Sequence, residues 1–370
     1  MNVIGGARSI DATEIGGEPR EQGRAHGAAL RPQVHAHLAA WLGSLERAGL
    51  GDPQGYVRDM LRETDFVAAI RQFAPDLLEE THGIAEGAGA DPELVYALQL
   101  LDEEWAYRRR RAAAGQREKC SSFAIVGPER GPTYIGQNMD LAPYTDGHQA
   151  LLRVKSGGSP GALVFSTAGM IGLMGVNDAG IGVCVNSLPQ LASAPEGVPV
   201  AFVLRRLLQS RSLAQASDLV MRLPHATNQH YVIAAAGAAR SFEASASGVT
   251  EYFPPDPSRI LHTNHPLAAV EANVEPAQDR ANSVARLQSL AGRLGKGAPG
   301  LEILKAALSS CDDPANPVCR IPDAAAGLIG FTTGSMISAI GASKIECWVS
   351  PGPPSERGYS PFKLGLTRPK

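Results

Sequence analysis

The sequence predicts an α+β protein built of stacked helical and β layers. Three features carry that reading: a first third whose apolar residues recur at three- and four-residue spacing, a switch at residue 120 to short β-like runs divided by Gly and Pro, and later strands interrupted by blocks of helix. Strands broken by helical blocks and joined by short turns favour this class over a regular strand-helix alternation. With 370 residues, 44% of them hydrophobic, the chain is long enough to bury a large core.

The elements follow in order. From about Arg20 to Arg111 the pattern is helical, as in "RAHGAALRPQVHAHLAAWLGSLERAG", and "DPELVYALQLLDEEW" opens on an Asp-Pro helix start. "AAAGQREK" ends the period. Strand-like runs then read "SSFAIVG", "TYIGQN", "ALVFST" and "IGVCVN". Helices return at "VPVAFVLRRLLQS" and "LAQASDLVMRL", followed by strands at "HYVIAAA", "SFEAS" and "RILHTN". A last helical stretch, "EPAQDRANSVARLQSLAGRL" with "GLEILKAALSS", precedes the strand-like "GLIGFTT", "SMISAIG" and "IECWVS", and residues 295–300 read as a loop. The glycine-rich "GMIGLMGVNDAG" lacks both the Lys-Ser/Thr ending of a phosphate loop and G-x-G-x-x-G spacing, so Asn177 to Gly180 is expected as a hairpin turn.

Composition narrows the function. A formal charge of −3 spread over mixed signs gives no field for nucleic acid or an anionic membrane. The run Arg108 to Arg111 reads as a solvated helix end. No apolar run approaches the ~18 residues of a membrane helix, and the first residues lack a secretory apolar core, so a cytoplasmic location is expected. Five scattered cysteines suit reduced thiols, and without C-x-x-C or H-E-x-x-H spacing no structural metal is expected.

Cys120 is the sharpest feature. A strand-borne cysteine is ordinarily an inert small hydrophobe. Here it opens a strand, precedes Ser121 and Ser122, and stands about twenty residues ahead of Asp140 in "YIGQNMD". Antiparallel pairing of those two runs brings the thiol and Asp140 together.

The string "CSSFAIVG…GQNMD", followed by "GMIGLMGVNDAGIGVCVNSL", "TNHP", "NSVARL", "VCR" and "WVSPGPP", resembles the acyl-coenzyme A:6-aminopenicillanate acyltransferase family of the N-terminal nucleophile hydrolases. The likeness runs from the "RAHGAAL" helix through "GIAEGAGAD" to "PGPP", and the order and spacing of the motifs carry it. It implies a four-layer αββα sandwich of two antiparallel sheets between helical layers. It also implies self-cleavage between Lys119 and Cys120, giving a mostly helical chain, 1–119, and a catalytic chain, 120–370, of 251 residues (370 − 119), which stay associated as one folded unit.

The chemistry rationalises such a border. A thiol attacks as thiolate, and free cysteine, with a pKa of about 8.5, is mostly protonated at neutral pH. A cysteine that becomes the first residue of a chain carries its own base, an α-amine with a pKa of about 7.7–8. By resemblance, Cys120 is the nucleophile, Asp140 orients the amine and sulfur, and Asn264 donates to the oxyanion. Arg320 and Arg286 both match functional positions in this or the related bile-salt hydrolase family, with Arg320 slightly favoured, and Asn186 matches an asparagine near the pocket. Each has a plainer reading: turn cap for Asp140, loop residue for Asn264, solvated helix for Arg286, strand-end turn for Asn186. An aliphatic pocket is expected from "GMIGLMGV", with Met170 and Met174 contacting substrate.

The pattern departs from the family's where Glu118-Lys119 replaces the usual glycine, "NMDL" replaces "NWDW", and "TNQHY" replaces "HNY". The expected activity is hydrolysis of a linear amide in a small N-acylated compound, with no cofactor. Acyl transfer from a coenzyme A thioester, an uncleaved binding protein of the same fold, and a Cys-His protease using His262 or His265 stand as alternatives. Neither nucleic acid nor membrane is an expected partner, and homo-oligomerisation stays open.

Overall fold

The computed structural model describes residues 9–111, 119–129, 131–268, 277–322 and 330–367. Strand β1 (Ala12–Gly16) leads into helices α1 (Pro19–Ala29), α2 (Arg31–Arg47), α3 (Pro53–Glu63), α4 (Phe66–Phe73), α5 (Pro75–Ala88), α6 (Pro92–Leu98) and α7 (Leu101–Arg110). Strands β2 (Ser121–Ile125), β3 (Thr133–Leu141), β4 (Gln149–Lys155), β5 (Ala162–Thr167), β6 (Met174–Asn177) and β7 (Gly182–Ser187) follow. Then come α8 (Val200–Leu207), α9 (Leu213–Arg222), β8 (Gln229–Ala235), β9 (Ala238–Ser245), β10 (Gly248–Glu251) and β11 (Arg259–His262). The chain finishes with α10 (Ala277–Leu294), α11 (Leu301–Leu308), β12 (Phe331–Ile340), β13 (Ile345–Ser350), α12 (Pro354–Arg357) and β14 (Ser360–Leu364).

Among the described residues the strands form two sheets. One has the order β1-β4-β5-β6-β7-β8-β9-β10, the other β11-β2-β3-β12-β13-β14. All pairings are antiparallel except β1 with β4, which is parallel. Strands β2 and β3 lie face to face on β7 and β8, while α8 and α9 cover the outside of the first sheet and α10, α11 and α12 that of the second. This is the αββα arrangement.

Several expected elements differ in extent. The first long helical stretch breaks at Leu30, ahead of Pro32, into α1 and α2, and the "DPELVYALQLLDEEW" helix breaks at Gln99 and Leu100 into α6 and α7. "GLIGFTT" and "SMISAIG" share one strand, β12, whose register shifts between Thr332 and Gly334; residues 323–329 lie outside the described residues. Strands β1, β4 and β6 escape the periodicity because they are short or buried on both faces. The expected turn at 177–180 is present: the Asn177 amide bonds the Ile181 carbonyl at 2.9 Å, and Gly180 takes φ +82°. Of the arginine run, Arg108 is buried and bonds Glu104 at 2.8 Å, so it is not part of a solvated end.

One feature binds the first helices to each other and a second ties them to the rest. Helices α1 and α5 cross at backbone contact through Gly23, Gly27, Gly83 and Gly87; a Cβ at Gly23 would sit 1.9 Å from the Glu80 carbonyl oxygen. Deep in the same region Arg205 of α8 makes a two-pronged ion pair with Glu80 of α5, at 2.9 and 2.8 Å, and donates to the Ile171 carbonyl at 2.6 Å. The main core lies between the sheets and runs on into the helices of the first third. A smaller core joins Phe123, Ile125 and Ile337 of the second sheet to Leu290, Leu294, Leu304 and Leu308 of its covering helices.

Candidate active site

Strand alternation sorts the residues around Cys120 onto two faces. Ser121 pairs with Asn138, so Cys120 stands opposite Met139. Cys120, Ala124, Met139 and Leu141 face the core between the sheets, whereas Phe123 and Ile125 face the covering helices. Asp140, two residues along from Asn138, shares the outer face with Ser121.

The outer face is charged. Arg286, 1% exposed, reaches in from α10. Its Nη1 donates to the Lys119 carbonyl at 2.8 Å, the Cys120 carbonyl at 2.7 Å and Ser121 Oγ at 3.0 Å. Its Nη2 donates to Asn264 Oδ1 at 2.9 Å, and its Nε to Asn282 Oδ1, one turn earlier, at 3.0 Å. One guanidinium therefore grips the peptide carbonyl at the predicted cleavage point and the predicted oxyanion residue together. Asn264 in turn donates through Nδ2 to the Ser187 carbonyl at 3.0 Å, and its backbone amide is held by Ser283 Oγ at 2.8 Å.

Asp140 completes this face. Thr332 Oγ1 donates to its Oδ1 at 2.7 Å, and Arg320 Nε lies 3.9 Å from its Oδ2, an atom with no hydrogen-bond partner. The same threonine clasps Arg320 by the backbone: its Oγ1 accepts from the Arg320 amide and its amide donates to the Arg320 carbonyl, both at 2.9 Å. Burial pushes the Asp140 carboxyl up to about 6, with Arg320 and the Thr332 hydroxyl opposing that rise. Burial, with Arg320 and Arg286 nearby, lowers Lys119 to about 8, and burial lowers Arg286 to about 10.

The inner face is apolar. Cys120, 1% exposed, has its sulfur 3.8 Å from Met139 Sδ and 3.9 Å from the Asp140 carbonyl oxygen. Beyond Met139 lies a narrow cavity of about 20 Å³, walled mainly by Leu141, Met170, Leu173, Val185, Val200 and Leu204. Its polar wall is Asp102 with Gln229, joined at 2.6 Å, so the pocket is not purely aliphatic. The turn carrying Met170 is gripped by the first third of the chain. His26 accepts from the Gly169 amide at 3.1 Å, and Gln99 donates to the Gly169 carbonyl at 2.7 Å and accepts from the Ile171 amide at 2.9 Å.

The fold thus gathers Lys119, Cys120, Asp140, Asn264, Arg286 and Arg320, with Arg286 making the direct contacts to the border. The Asp140 side chain shares the outer face with Ser121, while the Cys120 sulfur lies 3.9 Å from the Asp140 carbonyl oxygen. Met170 lines the cavity. Met174, fully buried in β6, and Asn186 do not, because both point into packed interior. Asn186 instead accepts from Ser122 Oγ at 2.5 Å, with His230 Nδ1 3.2 Å from the same oxygen, and so links the sheets. His262 stacks on His230 with centroids 3.6 Å apart and bonds Glu243 at 3.0 Å, while His265 bonds Ser283 Oγ at 2.8 Å. Both rings are engaged in scaffold. Sequence reasoning missed Asn282, Ser283, Thr332, Met139, Asp102 and Gln229. The first two were visible in "NSVARL", where positions 282, 283 and 286 lie on one side of a helix.

Comparison with known proteins bears on this arrangement. The family model described as acyl-coenzyme A:6-aminopenicillanic acid acyl-transferase matches residues 127–320, just over half of the chain. The chain belongs to that family. It is 29% identical over 252 residues to the acyl-coenzyme A:6-aminopenicillanic-acid-acyltransferase 40 kDa form of Emericella nidulans, an alignment covering 68% of each protein. Similar solved structures include a variant of conjugated bile acid hydrolase from Clostridium perfringens, with TM-score 0.47 and 12% identity over 67% of this chain and 97% of that one. Another is penicillin V acylase from Agrobacterium tumefaciens, with TM-score 0.34 and 14% identity over 67% of this chain and 86% of that one. The acyltransferase family match includes Asp140, Asn264, Arg286 and Arg320 and begins seven residues after Cys120.

Proposed function

We propose that this member of the acyltransferase family is a self-processing cysteine amidohydrolase that opens the linear amide of a small N-acylated compound. The observation that carries the reading is the 2.8 Å bond from Arg286 to the Lys119 carbonyl, because a buried cation on that oxygen stabilises the oxyanion of self-cleavage. The Cys120 sulfur attacks the Lys119 carbonyl carbon, the C–N bond breaks, and the freed nitrogen takes a proton to become the α-amine of residue 120. Water then opens the thioester, releasing the Lys119 carboxylate and the thiol.

The new amine is the base for turnover. Asp140 Oδ2, buried without a hydrogen-bond partner, is the acceptor that this amine can fill, which makes Asp140 an orienter of the amine and leaves the sulfur to the apolar side. Arg286 and Asn264 then hold the oxyanion of the substrate, whose acyl group enters the cavity beyond Met139. Strand β1 and the grip of His26 and Gln99 on the Met170 turn support continued association of chains 1–119 and 120–370 after the break.

Intact-mass spectrometry of the purified protein tests the proposal. Fragments of 119 and 251 residues, with acyl-enzyme trapped by hydroxylamine from a panel of N-acyl amides, are expected; a full-length chain with an unreactive thiol would replace the enzyme by a binding protein. The name of the matched family favours a second reading, acyl transfer from coenzyme A thioester to an amine. It requires acyl product on adding both substrates, with hydrolysis suppressed. Among the described residues no helix is long and apolar enough to cross a membrane, and a cytoplasmic location remains part of the proposal.

A further inference from the structure

Next to Arg320 the chain carries a second sulfur site that the proposed reaction does not use. Cys311 and Cys319 are eight residues apart, on the segment that leads from α11 towards β12. The Cys319 amide donates to the Ser310 carbonyl at 2.8 Å, which turns the segment back on itself. The Cys311 thiol lies 3.1 Å from the Cys319 carbonyl oxygen and 3.4 Å from Ser355 Oγ, and the Cys319 thiol lies 3.3 Å from that same hydroxyl. Cys319 is fully buried, whereas Cys311 is half-buried and open to a small solute.

We infer that Cys311 and Cys319 form an oxidisable dithiol that a peroxide-class oxidant closes to a disulfide, loosening Arg320 from Asp140. The two sulfurs are unlike. Cys311, the more exposed thiol, is pulled down to about 6 by the neighbouring Cys319 and the Ser355 hydroxyl, while Cys319 is raised by its neighbour and by burial, so Cys311 supplies a thiolate and Cys319 the resolving thiol. The thiolate attacks one peroxide oxygen, the O–O bond breaks, and Cys311 becomes a sulfenic acid as hydroxide leaves and takes a proton to form water. Cys319 sulfur then attacks Cys311 sulfur and a second water leaves. Two electrons pass from the sulfurs to the peroxide, and two thiols become one disulfide.

The consequence follows from what flanks Cys319. Closing the bond breaks the Cys311 contact with the Cys319 carbonyl and both contacts with Ser355. Val318, on one side, accepts from Asn138 Nδ2 at 2.9 Å, and Arg320, on the other, is clasped by Thr332, which also holds Asp140. A shift of residues 318–320 is therefore delivered to the amine-orienting carboxylate. This last step rests on the proposed role of Asp140; formation of the disulfide does not.

The test uses the full protein treated with hydrogen peroxide, alkylated and digested with trypsin. Lys305 and Arg320 place both cysteines in one peptide, 306–320. The expected result is a peptide two hydrogens lighter that takes no alkylating label, with activity falling about ten- to a hundredfold, the scale of a misplaced orienting group, and recovering with dithiothreitol. Cys311→Ser should keep basal activity and lose the reversible component, which separates it from oxidation of Cys120. Labelling of both thiols in peptide 306–320 after peroxide would overturn the dithiol, whatever the activity assay shows. A closed disulfide with unchanged turnover of N-acyl amides would overturn its coupling to Arg320.

Discussion

The two faces of the sheet at residue 120 differ as sharply as any two regions of the molecule. On the outer face lie two buried polar pairs, Arg286 with Asn264 and Thr332 with Asp140, and one oxygen of Asp140 is left without a hydrogen-bond partner. On the inner face the sulfur sits 3.8 Å from Met139 Sδ, and the cavity lies beyond that methionine. The contrast teaches how the labour of cleaving an amide is divided. Developing negative charge on an oxygen needs preorganised donors, which are stable in a dry interior only when their own lone pairs and protons are satisfied. A neutral thiol and an acyl chain need dryness instead. Strand pleating separates the two requirements, because successive side chains point to opposite faces, Ser121 and Asp140 to one and Met139 to the other.

Removing the nucleophile tests the comparison most severely. Cys120→Ala is expected to remain one chain and to lose turnover by 10⁴-fold or more, on the order of other nucleophile deletions, as read by intact mass and amide hydrolysis; fragments at residue 119 in that variant would move the chemistry elsewhere. On the outer face, Arg286→Lys keeps the charge but loses the fork that spans the Lys119 carbonyl and Asn264. Cleavage should slow by about 10²–10³-fold, measured as the full-length fraction over time, and wild-type kinetics would remove the guanidinium from the oxyanion role.

Asp140→Asn should slow processing and turnover by about 10²-fold. The carboxyl titrates near 6 in the uncut chain, so it is charged above that pH and neutral below it. Processing should accordingly fall as pH drops through about 6 in wild type, and a precursor with Asn at this position should lack that limb. A limb that survives the substitution assigns the titration to another group.

The smallest effects belong to the two methionines beyond the sulfur, where paired variants sharpen the contrast. Met170→Ala and Met174→Ala should each cost about 2–5 kcal/mol of stability by chemical denaturation. Only Met170→Ala should change preference among acyl chain lengths, by up to about tenfold, since Met170 lines the cavity and Met174 does not. Equal shifts from both would place the acyl site elsewhere.

Much of the site could be read from the chain. Cys120 was legible because a small nucleophile at a strand start, ahead of two serines, is an unusual string, and Asp140 because strand pairing constrains what lies about twenty residues away. The face on which Asp140 projects required the register, Ser121 opposite Asn138, since a slip of one residue exchanges the faces. The choice between Arg286 and Arg320 required it too. Both are single arginines in apolar surroundings, and nothing local says that one reaches the Lys119 carbonyl while the other lies 3.9 Å from Asp140. Met170 and Met174 occupy the same short string, yet the turn at Gly169 sends one to the cavity and the next strand buries the other.

By itself, then, the order of residues determined the α-to-β switch at 120, the layered class, and the types of group available for acyl chemistry. Periodicity and residue type are properties of the chain, written within a few positions of one another. Tertiary structure decided which of those groups meet: it brought α10, the segment after β11 and β12 onto one side of β2, and left the sulfur on the other. Contacts between residues separated by 167 or 192 positions are set by how layers stack, and no local pattern encodes that distance.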